Sequence, residues 1–156
     1  MVSSNRWETF RYVKEKIWNR LQSWKGTTVS RGGKEILIKS VVQSIPSYVA
    51  SVFLLPKKLC EDIEILMNRF WWLSNVEKNK GIRWMAWNKM CYPKKFGGMG
   101  FKRIQEFNVA MLGKQAWRIL TQPHSFISRL LKSRYFPKCR FEEAILGNNP
   151  SYVWRV

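Results

Sequence analysis

Apolar residues recur along this chain at steps of three and four, the spacing that places them on one face of a helix. Trp7, Phe10, Val13, Ile17, Trp18, Leu21 and Trp24 form the first such stripe, and Arg6, Arg11, Lys14, Lys16 and Arg20 fall mostly off it. Asn5 with Glu8 three residues on fits an N-cap and its capping-box partner, and Gly26 is placed to end the helix. Ser30 is the N-cap expected for a second segment, whose apolar face runs through Ile36, Leu37, Ile38, Val41, Val42 and Ile45 and continues past Pro46 to Leu55. A third stripe follows Pro56, with Leu59, Ile63, Leu66, Met67, Phe70 and Trp71. Residues 73–81 have no apolar period and read as an exposed loop. After Pro123, Ser125 is expected to cap a helix carrying Phe126, Ile127, Leu130, Leu131 and Tyr135, with Pro137 beyond its end. A short helical turn is expected over Phe141 to Leu146, and Ser151 to Val156 reads as the opening of another helix.

The stretch from Ile82 to Leu120 organises the rest. Trp84 and Trp87 lead into a Pro/Gly-rich basic turn from Pro93 to Gly100, in which Gly97, Gly98 and Gly100 mark a sharp reversal. Phe101, Ile104, Phe107, Val109, Met111, Leu112, Ala116, Trp117 and Leu120 then follow a period close to 3.6. The pattern therefore predicts an all-α fold, a single helical unit over residues 1–156. Its helices are expected over about 6–24, 31–55 with a kink near 46, 57–72, 83–91, 102–121 and 125–135. On their stripes Trp7, Trp18, Phe70, Trp71 and Trp117 are expected in the core; Trp72, Trp84 and Trp87 are not assigned by pattern alone.

Composition adds a charge that the pattern does not explain. Lys and Arg total 28 against 10 Asp and Glu, a net +18, in a chain that is 46% apolar and 15% aromatic with nine Trp. Such an excess opposes compaction and favours an anionic partner, most simply the backbone of RNA or DNA, with an anionic membrane surface as the second possibility. The residues expected to make phosphate contacts are Lys94, Lys95, Lys102 and Arg103 at the glycine corner, with Arg31 and Lys34. No apolar run nears the roughly 20 residues of a membrane span, and the polar N-terminus has no secretory h-region. The three cysteines, Cys60, Cys91 and Cys139, are far apart and form no C-x-x-C pair, which fits free thiols in a reducing compartment.

Catalytic chemistry is poorly provided for. Asp62 is the chain's one Asp, and two-metal phosphoryl transfer needs convergent carboxylates. With Glu61 and Glu64 it reads as a group of acids suited to a helix N-terminus. His124, the one His, has no matched Cys or acid in sequence. Gly98-Met99-Gly100 begins like a dinucleotide fingerprint, but Arg103 stands where its third glycine belongs, so the loop reads as a structural corner. No catalytic residue, metal ligand, cofactor or small-molecule substrate is expected.

The order of motifs resembles the C-terminal region of plant non-LTR (LINE-type) retrotransposon reverse transcriptases. The same segments occur in plant proteins described as ribonuclease H proteins and in related short mitochondrial open reading frames. The matching pieces include Ser30-Arg31-Gly32-Gly33-Lys34, Ile45-Pro46-Ser47-Tyr48, Phe70-Trp71-Trp72, Trp84-Met85-Ala86-Trp87, Gly97-Gly98-Met99-Gly100-Phe101, Arg134-Tyr135-Phe136-Pro137 and Ser151-Tyr152-Val153-Trp154-Arg155. The resemblance implies a thumb- or connection-like helical module, a fragment of a larger protein, lying between the polymerase palm and a zinc-binding region. Its implied partners are template or primer nucleic acid and the remainder of a reverse transcriptase. It carries over no catalytic residue, because the palm motif and the Cys/His cluster are absent from this sequence. The expected function is sequence-independent nucleic-acid binding without catalysis, the rival being an inert structural or interaction remnant. The setting it implies is intracellular, with the nucleus, cytoplasm or mitochondrion left open.

Overall fold

The computed structural model describes residues 6–24, 29–72, 82–147, 150 and 154, with backbone alone for residues 6–9. The Asn5–Glu8 capping pair, the side chain of Trp7, the stop at Gly26, the loop at 73–81 and most of the segment from Ser151 lie outside the described residues. Among the described residues every regular element is helical, and the fold is all-α. The helices are α1 (Arg6–Ser23), α2 (Arg31–Ser40), α3 (Ser47–Ala50), α4 (Lys57–Trp72), α5 (Trp87–Met90), α6 (Ile104–Thr121) and α7 (Phe126–Tyr135), with short 3-10 turns at Val42–Ser44, Lys94–Phe96 and Phe141–Glu143.

α4 is the centre. Its stripe of Leu59, Cys60, Ile63, Leu66, Met67, Phe70 and Trp71 is buried, and α1, α2, α5 and α6 all pack on it. α1 contributes Phe10, Val13, Ile17 and Leu21, α2 contributes Ile38, and the first turn of α6 contributes Ile104. Burying a large aliphatic side chain is worth about 1.5–3 kcal/mol, so this contiguous cluster is the main source of stability. The distal half of α6 leaves that core and meets α7, around Leu112, Leu131 and Phe136. Tyr135 and Phe136 there stack on Trp154 at centroid distances of 4.7 and 5.5 Å.

Two expected helices differ from what forms. The kinked helix over 31–55 is instead α2, a 3-10 turn and the four-residue α3, followed by irregular backbone to Pro56. Pro46 has no N–H to continue a helical ladder, and β-branched Val41, Val42 and Ile45 crowd the approach to it. The 83–91 helix shrinks to Trp87–Met90, because residues 82–86 run irregularly and Ala86 is its extended N-cap.

The acids of α4 are also corrected. None lies in its first turn. Asp62 instead pairs with Lys14 of α1 at 2.8 Å. Glu64 accepts the backbone N–H of Ile104 at 2.8 Å, so it caps α6 from a neighbouring helix. Burial raises the Glu64 carboxyl above its ordinary value, against the opposing pull of that N–H bond and of Arg103.

Candidate nucleic-acid interface

The glycine corner is closed by its own backbone. The Met90 carbonyl accepts the N–H of Met99 at 2.8 Å and of Phe101 at 3.4 Å, and the Tyr92 carbonyl accepts that of Gly100 at 2.8 Å. Phe96 and Gly98 donate to Pro93, and Gly97 donates to Lys94. Gly97 and Gly100 have φ of 79° and 67°, the left-handed region that favours glycine. A Cβ on Gly98 would overlap the Tyr92 carbonyl. Each backbone N–H from Phe96 to Phe101 is thus used within the corner. None of these six is left to form the N–H nest of a phosphate-binding loop, so residues 96–101 offer a phosphate no backbone N–H.

Stacked rings hold the corner on the core. Trp87 lies parallel to Phe101 with centroids 5.0 Å apart, and Trp71 meets the same ring edge-on at 5.5 Å. On its other side the corner follows α2. Glu35, Lys39 and Gln43 are spaced four apart, and each meets the next piece of the corner: Glu35 pairs with Lys94 at 2.8 Å, the Lys39 ammonium lies 5.7 Å from the Phe101 ring, and Gln43 donates to the Lys102 carbonyl at 3.5 Å.

Charge is organised by this docking. Glu35 is largely recessed, with 17% of its side chain exposed, and binds Lys39 and Lys94 at 2.8 Å each. Hydrogen bonds from those two ammonium groups lower its carboxyl pKa, so it stays ionised. Lys94 keeps 65% of its side chain exposed while tied in this way. One recessed acid therefore positions two cations rather than removing them from the surface.

The six residues expected to contact phosphate fall into different settings. Lys94 and Lys95 are exposed on the corner, and Lys95 lies 4.9 Å from the exposed ring of Phe96. Arg31 lies over Trp72 at 5.6 Å on the α2 end of the same face. Lys34 is half-buried, donates to the Trp71 carbonyl at 3.4 Å and lies over Phe70 at 5.5 Å. Burial, then Arg31, lowers its pKa, which makes it the least available of the six. Lys102 lies over Phe107 at 4.3 Å, and Arg103 is paired with Glu106 three residues on. Arg31, Lys34 and Lys94 are thus gathered along α2 and the corner, whereas Arg103 is partly neutralised at the start of α6. Lys39 belongs to the face and was not among the six; its four-residue spacing from Glu35 was the available signal.

The tryptophans divide unequally. Trp71 and Trp87 are buried, Trp18 and Trp72 pack partly against the core, and Trp84 is exposed. Trp117 was expected in the core and is 65% exposed, because it lies on the half of α6 that has left α4.

Among the described residues no group of three or more His, Cys, Asp and Glu is placed to hold a metal. His124 is exposed in the turn between α6 and α7. Burial pushes the thiols of Cys60 and Cys91 up to about 11 and about 12, with Glu64 adding to both, so neither is a thiolate nucleophile at neutral pH. No helix among the described residues is long and apolar enough to cross a membrane.

Fold and surface define a basic all-α module built around one central helix. Over 113 residues the chain is 46% identical to the uncharacterized mitochondrial protein AtMg00310 of Arabidopsis thaliana, covering 72% of this chain and 73% of that one. It is 33% identical over 128 residues to the putative ribonuclease H protein At1g65750 of the same plant, covering 82% of this chain and 20% of that one. The chain belongs to the plant retroelement-type family that these two proteins represent. It spans about a fifth of the length of the second relative. No protein-family model and no solved structure matches it.

Proposed function

We propose that this chain is a non-catalytic helical module derived from a retroelement reverse transcriptase, thumb- or connection-like in role, that binds nucleic acid without sequence preference. Its contacts are to phosphates, through Arg31, Lys34, Lys94, Lys95, Lys102 and Arg103, joined by Lys39. The observation that carries the reading is Glu35, which ties α2 to the glycine corner and places Lys39 and Lys94 on one face. The net +18 supports it, as does membership of a retroelement-type family. The single Asp, engaged with Lys14, supports the absence of a two-metal centre.

A salt titration of binding to labelled single-stranded RNA and to duplex DNA tests this. About six phosphate contacts give a log–log slope of about −4 on the single strand and about −5 on the duplex. Lys94→Ala/Lys95→Ala should make each slope shallower by about 1.5. Absence of binding at low salt, or binding indifferent to salt, rules the proposal out.

A second reading, an interaction remnant without nucleic-acid affinity, is favoured by the apolar side chains left exposed on α6 and α7. It predicts self-association of the purified chain, with no saturable binding to either nucleic acid.

A further inference from the structure

We propose that the α2–corner face takes nucleic acid as an unpaired single strand, with bases stacked on the exposed rings of Phe96 and Trp84 and phosphates along Arg31, Lys39, Lys94 and Lys95. This rests on the nucleic-acid reading above and narrows it, from any phosphate backbone to a strand whose bases are free.

The corner treats its aromatic residues in two ways. Trp87 and Phe101 are buried and stacked on one another. Phe96 and Tyr92 stand on the same corner 69% and 59% exposed. Phe96 ends the 3-10 turn Lys94–Phe96, and its backbone N–H is held by the Pro93 carbonyl at 2.9 Å, so the ring stands on a fixed base. The Lys95 ammonium lies 4.9 Å from the centre of that ring, and Lys94 is tied in place by Glu35.

The other end of α2 repeats the arrangement. Arg31 lies over Trp72, and the Trp72 indole N–H donates to the Met85 carbonyl at 3.3 Å. That bond docks the segment before α5 beside the end of α4, and Trp84 in this segment is 75% exposed. Arg31, Glu35 and Lys39 stand at four-residue steps on one face of α2. From Arg31 to Lys39 the helix rises ~12 Å, the length of about three to four nucleotides at ~3.4 Å per phosphate along one strand.

An exposed ring beside a cation selects the form of the nucleic acid. Every base has a π-face, so stacking is indifferent to sequence but requires a base that is not already stacked within a duplex. The adjacent cation is placed for a phosphate of the same strand. A basic surface without such rings takes duplex and single strand alike. An anionic lipid surface takes up a continuous apolar helix face, whereas Phe96 stands on a 3-10 turn between Lys95 and Gly97, and Trp84 on irregular backbone after Arg83.

The probes are fluorescein-labelled strands of about 12 nucleotides: oligo(U), oligo(dT), an abasic deoxyribose-phosphate strand of equal length, and duplex DNA. Anisotropy with the full chain should show oligo(U) and oligo(dT) binding at least about fivefold tighter than the abasic strand. Phe96→Leu and Trp84→Leu should each weaken the two base-bearing single strands about fivefold or more. Both should leave duplex and abasic affinities unchanged, and also the salt slope, since no charge is removed. Phe96→Tyr and Trp84→Phe should keep the affinity, because the stacking surface remains. Circular dichroism should be the same for all four variants, whose altered side chains are exposed. Equal binding of the abasic strand, or base-bearing strands bound by both leucine variants as by the parent chain, overturns this inference and leaves the phosphate reading standing. Absence of saturable binding to every probe at low salt overturns both. Displacement of oligo(U) by phosphatidylserine vesicles, through vesicle binding that Phe96→Leu abolishes, assigns the rings to a lipid surface and overturns this inference as well.

Discussion

The side chain of Asn108 accepts the backbone N–H of Leu55 at 2.8 Å from within the core. The same amide donates to the carbonyls of Ala50 and Phe53 at 2.7 and 2.9 Å. One residue of α6 thus replaces the helical bonds that the chain after α3 does not form. Asn108 is 1% exposed, so water cannot substitute for it.

Asn108→Ala should therefore cost about 3 kcal/mol or more, since it strands three buried backbone groups at about 1–3 kcal/mol apiece before relaxation. Asn108→Asp keeps the acceptor for Leu55 but turns a carboxylate toward two carbonyls. It should be the less stable variant at neutral pH and should recover as acid protonates the new carboxyl. Urea unfolding of both variants at two pH values checks the order and the recovery.

Neighbouring glycines at the corner should behave differently. Gly97→Ala adds a Cβ into open space and meets only the left-handed backbone penalty, about 1–2 kcal/mol. Gly98→Ala drives a Cβ into the Tyr92 carbonyl and must open the turn. Thermal unfolding should rank Gly98→Ala well below Gly97→Ala, with quenching changes at Trp87 as the corner loosens.

Acid should weaken the tie between α2 and the corner. The Glu35 pKa is held below its ordinary value by the Lys39 and Lys94 hydrogen bonds. Its contribution is present above the unfolded carboxylate value, about 4.3, and is lost as pH falls through the lower folded value. Both lysines are partly exposed, so the effect is modest, within about 1 kcal/mol. Glu35→Gln should lose this part of the acid dependence, measured as unfolding midpoint against pH. Glu64 carries the opposite sign: its folded pKa is raised, so its charge opposes folding as pH rises through that value.

Gly113→Ala should stabilise the chain by up to ~1 kcal/mol, because a helical glycine is replaced where the new Cβ meets nothing. A shift of the thermal midpoint upward, with no change in helical signal at low temperature, is the expected result.

Much of the helical character was legible from short-range signals. Periodicity of apolar residues identified the all-α class, and it picked out the stripe of α4 that became the core. Ser30 and Ser125 marked helix starts, and each accepts the N–H three residues on, Gly33 and Ser128. The glycines signalled a corner, because φ > 0 at Gly97 and Gly100 is a local property of the backbone. These features depend on residues within a few positions of one another, which a single sequence displays.

Other features required the tertiary structure. Periodicity along α6 is continuous, yet Ile104 is buried and Trp117 is exposed, because only the first half of the helix lies on α4. A stripe states which residues share a face, not where a neighbouring helix ends. Asp62 and Glu64 resembled dipole-complementing acids, but their partners, Lys14 and Ile104, stand 48 and 40 residues away. The cationic face was incomplete in sequence for the same reason: Glu35 finds Lys94 across 59 positions, and chain separation carries no record of that pairing. Local propensity set the helices and their caps; which ends meet, which acids are engaged and which apolar faces stay open were decided by packing around α4.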